Sequence, residues 1–408
     1  MDRSKVIHAF ISKAISAGVG ALVVLITSKL LGAEVRGIIS LLLLWSGMWI
    51  MLSDFVTGST LINLSAQHAT RPLALKALLW LLILCAISFA VQPFLFPNLF
   101  AFVTLHLFLM GLFNIQGGIL IGKQKVTLRN YAFSSINVVT LAITVFFILS
   151  NSSLPGLATP TATLSLKHYL IALISGWSFA VLLTLPAWFS GTTGKVQTTP
   201  GLLQMAAFGS ASQLGHLIQY GTMRLPFTFI PILYNLEVLG VISIAIIMAE
   251  TIGIISASLG QILHAKIIQN PQHSIHIQTT QRYARISVYL TLPALVLAAL
   301  IPSSVWTYLL KDEFAQITHY FIFFAPAMAF QSLSGILSHF FHAQNQFNTL
   351  IKANVIGLIL SICCMFLFHF AFQIEGLLFG LTLGYLAQMI YLLKVFKRAS
   401  TSHANPGF

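Results

Sequence analysis

The sequence predicts an all-α polytopic membrane protein: twelve transmembrane helices in two parallel six-helix bundles around a central cavity. Three observations predict it. Of 408 residues, 57% are hydrophobic and only 7% charged, whereas a soluble globular domain carries about 25% charged residues. Apolar runs long enough to cross a bilayer, about 20 residues each, recur from one end to the other. One sequence pattern also occurs twice. A water-soluble enzyme is excluded by the first observation alone.

Hydropathy places the first six helices at about 10–31, 37–60, 74–96, 101–121, 131–149 and 168–189. The second six fall at about 202–232, 238–263, 287–310, 315–339, 351–372 and 376–396. At about 21 residues each they take up about 250 residues, so no separate extramembrane domain is expected. The third helix is interrupted by Pro93 and Pro97 and the seventh contains Pro226 and Pro231. Membrane helices tolerate proline where neighbours satisfy the freed carbonyls. The opening segment (Asp2, Arg3, Lys5, then an apolar run from Phe10) has the outline of a signal peptide. The repeat includes it, so a retained first helix is expected.

Charge sets the orientation. With a cytoplasmic N-terminus, 16 of the 21 Lys and Arg fall on inner segments. Lys29, Arg36, Lys167, Arg224 and Lys311 fall on the outer side, a positive-inside bias. Both termini are therefore expected in the cytoplasm. The net charge of +13 is scattered between apolar segments and forms no patch, so nucleic acid is not expected as a partner. Cys85, Cys363 and Cys364 lie in apolar stretches and read as packing residues.

The loops offer no catalytic platform. The longest outer one, Asn151 to Lys167, is Ser/Thr/Pro-rich. The longest inner one, His264 to Arg285, carries His264, His273 and His276. No pair of these has the i,i+4 spacing of a helical zinc site, so a solvated loop and no metal are expected.

The repeat reads Glu34-Val35-Arg36-Gly37-Ile38-Ile39-Ser40 in one half and Glu237-Val238-Leu239-Gly240-Val241-Ile242-Ser243 in the other. Gly118-Ile119-Leu120 leads to Asn137-Val138, just as Gly335-Ile336-Leu337 leads to Asn354-Val355. The order and the helices correspond, so a six-plus-six duplication is expected, with halves at 1–195 and 196–408. Six is even, so the halves are parallel repeats, an arrangement that commonly encloses a cavity at their interface and rocks about it.

Polar residues at bilayer depth generally face a cavity or a partner. Gln213, His216 and Gln219, with Tyr220 and Arg224, form a stripe on one face of the seventh helix. Arg224, Lys29 and Lys13 are candidates for holding an anionic head group, assisted by Gln213, His216 and Gln219. Glu250 and Asp54 are candidate gating or ion-coupling acids. Arg224 can instead neutralise Glu250, and Lys13 and Lys29 can snorkel to the interface. Gly376, Gly380 and Gly384 at four-residue spacing predict a close helix-packing seam.

The run Ser28-Lys29-Leu30-Leu31-Gly32-Ala33-Glu34-Val35-Arg36-Gly37 resembles the opening turn of polysaccharide-type lipid-linked oligosaccharide flippases. These belong to the multidrug/oligosaccharidyl-lipid/polysaccharide exporter superfamily. Ser53-Asp54-Phe55 is similar to the family's element at the end of helix two, with Val56-Thr57 in place of the usual Gly-Leu. Asn235 to Gly240 with Ala249-Glu250 resembles its helix seven-to-eight stretch, where Met223 stands in place of an Asp before Arg224. Phe341-His342-Ala343-Gln344-Asn345-Gln346 and Glu375-Gly376-Leu377-Leu378-Phe379-Gly380 are similar too.

The resemblance implies a non-enzymatic flippase of a bacterial inner membrane. Its substrate would be an undecaprenyl-diphosphate-linked glycan, moved from the cytoplasmic to the periplasmic leaflet. Implied partners are membrane lipids, a glycan polymerase and a chain-length regulator. No Gly-x-x-x-x-Gly-Lys-(Ser/Thr) loop is present and no cofactor is expected. The rival readings are a cation-coupled multidrug antiporter of the same superfamily and, more distantly, a membrane-embedded glycan polymerase or ligase.

Overall fold

The computed structural model describes residues 3–65, 68–94, 97–152, 165–189, 199–269 and 273–402, without the side chains at 3–14, 151–152, 211, 265, 269, 273–275 and 401–402. Lys13 therefore lies on a described helix, with its side chain outside the described residues. Every regular element among them is helical. The chain divides into two compact units, Met1–Gln213 and Leu214–Phe408. The first holds α1 (Arg3–Thr57), α2 (Ser59–Ser65), α3 (Thr70–Val91), α4 (Phe100–Gly122), α5 (Val126–Ser152), α6 (Leu166–Thr184) and the start of α7 (Leu202–Leu233). The second holds the rest of α7, α8 (Leu236–Gln269), α9 (His273–Ala299), α10 (Ser303–Leu309), α11 (Ile317–Ala343) and α12 (Phe347–Ser402).

Eight of these helices are long and apolar enough to cross a membrane. Two of them do so twice. α1 has 55 residues, about 80 Å at 1.5 Å per residue, against about 30 Å of hydrocarbon. It breaks at Gly32 (φ 85°, ψ 173°), a conformation that needs the missing Cβ. α12 has 56 residues and breaks at Gln373 (φ 52°, ψ −124°). α9 and α10 form one span bent by 75°, with Pro302 at the N-cap of the second part. α7 has the length, at 32 residues, but its polar stripe keeps it out of the apolar set. Counted this way the described residues supply twelve spans, as the sequence predicts.

Two boundaries differ from expectation. The turn expected at 32–36 is a single-residue break, so Glu34 and Arg36 are helical. The loop expected from His264 to Arg285 is helical except at 270–272, which lie outside the described residues. His264 is on α8 and His276 on α9, and a solvated loop is not what forms there. Hydropathy marks where apolar side chains stop; the hydrogen-bonded backbone runs on past that point. The unit division falls inside α7; the expected 195/196 boundary lies outside the described residues. The start of α7 packs on the first unit: a Cβ at Gly209 would collide with the Phe55 carbonyl, and Ser212 hydrogen-bonds Ser59 at 2.9 Å.

In each unit the interior is small or polar as well as apolar. In the first, Leu73, Ala74, Ala77 and Leu81 of α3 pack on Leu107, Ile115 and Ile119 of α4. In the second, Leu263 and Ile267 of α8 meet Phe340 and Phe341 of α11 and Phe396 of α12. Leu75, Leu79, Phe146, Leu182, Leu297 and Tyr308 point outward, while Ser46, Ser53, Thr144, Ser334 and Ser361 are fully buried. Apolar outside with hydroxyls inside is what hydrocarbon selects. The predicted glycine seam forms within α12: Gly376 lies on Phe368, Gly380 on Met365, and Gly384 on Gly357 and Ser361.

The duplication has a structural counterpart. Asn137 of α5 donates to the Ser16 carbonyl of α1 at 2.9 Å. Asn354 of α12, its partner in the repeat, donates to the Gly215 carbonyl of α7 at 2.7 Å. Each amide ties the fifth span of its unit to the first.

Candidate functional site

Of the polar residues expected to form a stripe on α7, Gln213 belongs to the first unit and His216, Gln219, Tyr220 and Arg224 to the second. Gln213 donates to Ser59 at 3.3 Å within the first unit. His216 and Gln219 line a cavity in the second. Arg224, two turns further along α7 than His216, reaches Glu250 near the middle of α8. Nη1 stands 2.8 Å from Oε1 and Nη2 donates to Oε2 at 3.2 Å. This two-point pairing suits a planar guanidinium. The side chains are 20% and 24% exposed, so the pair is largely sheltered and still accessible.

Aromatic rings complete its setting. The Arg224 guanidinium lies 5.3 Å from the Tyr220 ring centroid and 5.0 Å from that of Phe227. Both rings sit within four residues of Arg224 on its own helix, so α7 builds this cradle locally. Tyr385 of α12, 1% exposed, interacts electrostatically with both members of the pair. A cation held by one carboxylate and two π faces can exchange that carboxylate for another anion while keeping its position.

The first unit holds the other acid. Asp54 Oδ1 accepts from Thr57 at 2.9 Å and from Asn114 of α4 at 3.0 Å. No cation pairs with it among the described residues. It sits one turn before the α1–α2 break at Gly58, where a Cβ would stand 3.0 Å from both the Asp54 carbonyl and the Gln213 amide. Asp54, Asn114, Ser59, Ser212 and Gln213 thus form a polar patch within this unit.

Lys29 is drawn into neither cluster. Lys29 is exposed near the Gly32 break. His106 is buried, stacked on Phe102 and edge-on to Trp177.

Several residues escape the sequence reading. Arg36, placed by hydropathy at an outer helix end, is only 2% exposed and interacts electrostatically with Tyr169 of α6. The sequence places a turn at 32–36, whereas the break is confined to Gly32 and Arg36 is helical. Arg129 of α5 lies over Phe113 and Phe133 at 5.9 and 5.4 Å. His339 and His342 line the second-unit cavity with His264. The His-x-x-His spacing on α11 is the available signal, and the expected loop at His264 hides its counterpart.

No protein-family model and no curated protein matches the chain. Solved structures do. An inward-facing multidrug resistance MATE family transporter of the MOP superfamily superimposes with a TM-score of 0.73 at 15% identity, covering 98% of this chain and 100% of that one. The lipid II flippase MurJ in an inward closed conformation gives 0.72 at 14%, covering 96% and 87%. The MATE multidrug transporter DinF-BH gives 0.69 at 14%, covering 97% and 94%. At such identities the likeness is one of fold, and it spans nearly the whole of each chain.

Proposed function

We propose that the chain is a transporter that moves a lipid-linked, diphosphate-bearing glycan from the cytoplasmic to the periplasmic leaflet of a bacterial inner membrane by alternating access. The observation that carries this reading is the Arg224–Glu250 pair on a polar helix face within apolar spans. A glycan and its diphosphate lose water without replacement in hydrocarbon, so they need a polar, cationic path. Arg224 supplies a bidentate donor for phosphate oxygens once Glu250 releases it. His216 and Gln219, on the same helix as Arg224, supply hydrogen bonds for the polar head. Outward movement of anionic charge is favoured by an inside-negative potential, at about 2.3 kcal/mol per charge per 100 mV. Lys13 and Lys29, expected at the inner and outer ends of the first helix, remain candidates for holding the diphosphate. A glycan polymerase and a chain-length regulator are the protein partners this reading implies.

The mechanism is an exchange of partners. With Glu250 paired, Arg224 is neutralised. Protonation or displacement of Glu250 frees the guanidinium for the diphosphate, and return of the carboxylate expels the product. Reconstituted protein should speed the movement of a fluorescent polyprenyl-diphosphate sugar between leaflets, and Arg224→Ala should abolish the acceleration.

A cation-coupled multidrug antiporter is the second reading, and Asp54 favours it. An acid held by hydrogen bonds, with no ion pair among the described residues, suits a proton or an organic cation. Efflux of a cationic dye that depends on Asp54 and is indifferent to Arg224 would select that reading.

A further inference from the structure

We propose that the cavity in the second unit is a subsite for one uncharged sugar residue, the residue bonded to the diphosphate of the transported glycan. The inference rests on the proposed role of Arg224 as the cation that meets the diphosphate, and it adds what must lie beside that cation. The cavity has a volume of about 340 Å³ and opens among α7, α8, α11 and the start of α12. Small-molecule sites span about 300–1,000 Å³, so one sugar residue with a few waters suits its size. Its polar lining consists of four imidazoles, three glutamine amides and two serine hydroxyls, with no Asp, Glu, Lys or Arg side chain.

That lining selects by complementarity. A neutral imidazole, an amide and a hydroxyl each offer both a donor and an acceptor. A sugar hydroxyl does the same, so a ring of hydroxyls satisfies the lining and is satisfied by it. An organic cation finds no carboxylate here, and a diphosphate, which only accepts, finds no Lys or Arg to neutralise it. A prenyl or acyl chain would strip water from these polar side chains and return no hydrogen bond. Part of the lining is also uncommitted: among the described residues His216, Gln219 and Ser338 have no hydrogen-bond partner.

The position fits a residue bonded to a phosphate held at Arg224. Gln219 precedes Arg224 on α7 by about 7.5 Å of helix rise, and Gly253 follows Glu250 on α8 by about 4.5 Å. Glu250, Gly253, Ala257, Gln261 and His264 recur at helical spacing on α8, so the face that carries the ion pair continues as the cavity wall. Glycines make the space. Gly335 lines the cavity, and a Cβ there would meet nothing within 4 Å. Gly260 lets the His339 ring approach α8, since a Cβ at that position would collide with it.

The test is saturation-transfer NMR of neutral monosaccharides (glucose, galactose, mannose, rhamnose and N-acetylglucosamine) with the full chain in a detergent that carries no sugar. At least one should bind, and neither inorganic phosphate nor tetraphenylphosphonium should displace it. Gly335→Leu, which fills the cavity, should abolish binding at an unchanged melting temperature, whereas Gly18→Leu, in open space on α1, should leave it intact. His342→Phe, which keeps a ring and loses its nitrogens, should weaken binding about threefold to tenfold, the range of one hydrogen bond. In vesicles, Gly335→Leu should slow leaflet exchange of a polyprenyl-diphosphate sugar and spare bare polyprenyl diphosphate, which assigns the site to the lipid-linked sugar and not to a free one. Binding by none of the sugars, displacement by phosphate or the phosphonium, full binding in both cavity variants, or equal slowing of the two lipids would each overturn the subsite. Sugar binding without exchange of either lipid would keep a sugar site and overturn the flippase reading instead.

Discussion

Arg224 and Glu250 face each other across α7 and α8 at 2.8 Å, each about one-fifth to one-quarter exposed. The pair holds two helices of the second unit together and is the point at which an anionic substrate can compete. These roles separate experimentally. Arg224→Ala and Glu250→Ala should each lower thermal stability in detergent, because each leaves a sheltered charge unpaired. The double variant should recover part of the loss, with a coupling of about 0.5–3 kcal/mol. It should not recover transport, since the cation that meets the diphosphate is gone. Additive stability losses would show that the two side chains do not interact.

Asp54 is placed to act without a partner charge. Asp54→Asn keeps an oxygen that accepts from Thr57 and Asn114, so stability should change by less than about 1 kcal/mol. Dependence of transport on the proton or sodium gradient should be lost. Melting curves and gradient-dependent uptake into vesicles check the two halves of this expectation; a large drop in stability would make Asp54 a structural residue.

The glycine seam of α12 predicts a contrast between glycines. A Cβ at Gly380 would overlap the Met365 backbone, and one at Gly384 would overlap Ser361. Either alanine substitution should destabilise by about 1–3 kcal/mol through overpacking. Gly335→Ala meets nothing within 4 Å and should be neutral or slightly stabilising. Unfolding temperatures of the three variants side by side decide it.

The architecture is legible because lipid imposes long apolar runs and because duplication repeats its landmarks. Asn137 and Asn354, matched in the sequence, make matching hydrogen bonds in their own units. The α7 stripe and the Arg224–Glu250 neutralisation are legible for the same reason: a charge amid apolar residues needs a partner. Two kinds of feature are not. Hydropathy locates the breaks at Gly32 and Gln373 but not how short they are, so the burial of Arg36 gives no signal. Helices that continue beyond the apolar segment, as α8 and α9 do, look like a loop, which separates His264 from His339 and His342. The second member of the other matched pair shows where repeats diverge. Gly118 packs against Leu61 and the Thr57 carbonyl, whereas Gly335 faces open cavity.

The most direct measurement is leaflet exchange of a fluorescent polyprenyl-diphosphate sugar in proteoliposomes, under an imposed inside-negative potential and in its absence. The unsubstituted chain should accelerate exchange well above protein-free vesicles and faster still with the potential applied, and Arg224→Ala, inserted at equal density, should fall to background. Exchange by Arg224→Ala equal to that of the unsubstituted chain, or no acceleration beside Asp54-dependent efflux of a cationic dye, would contradict the account.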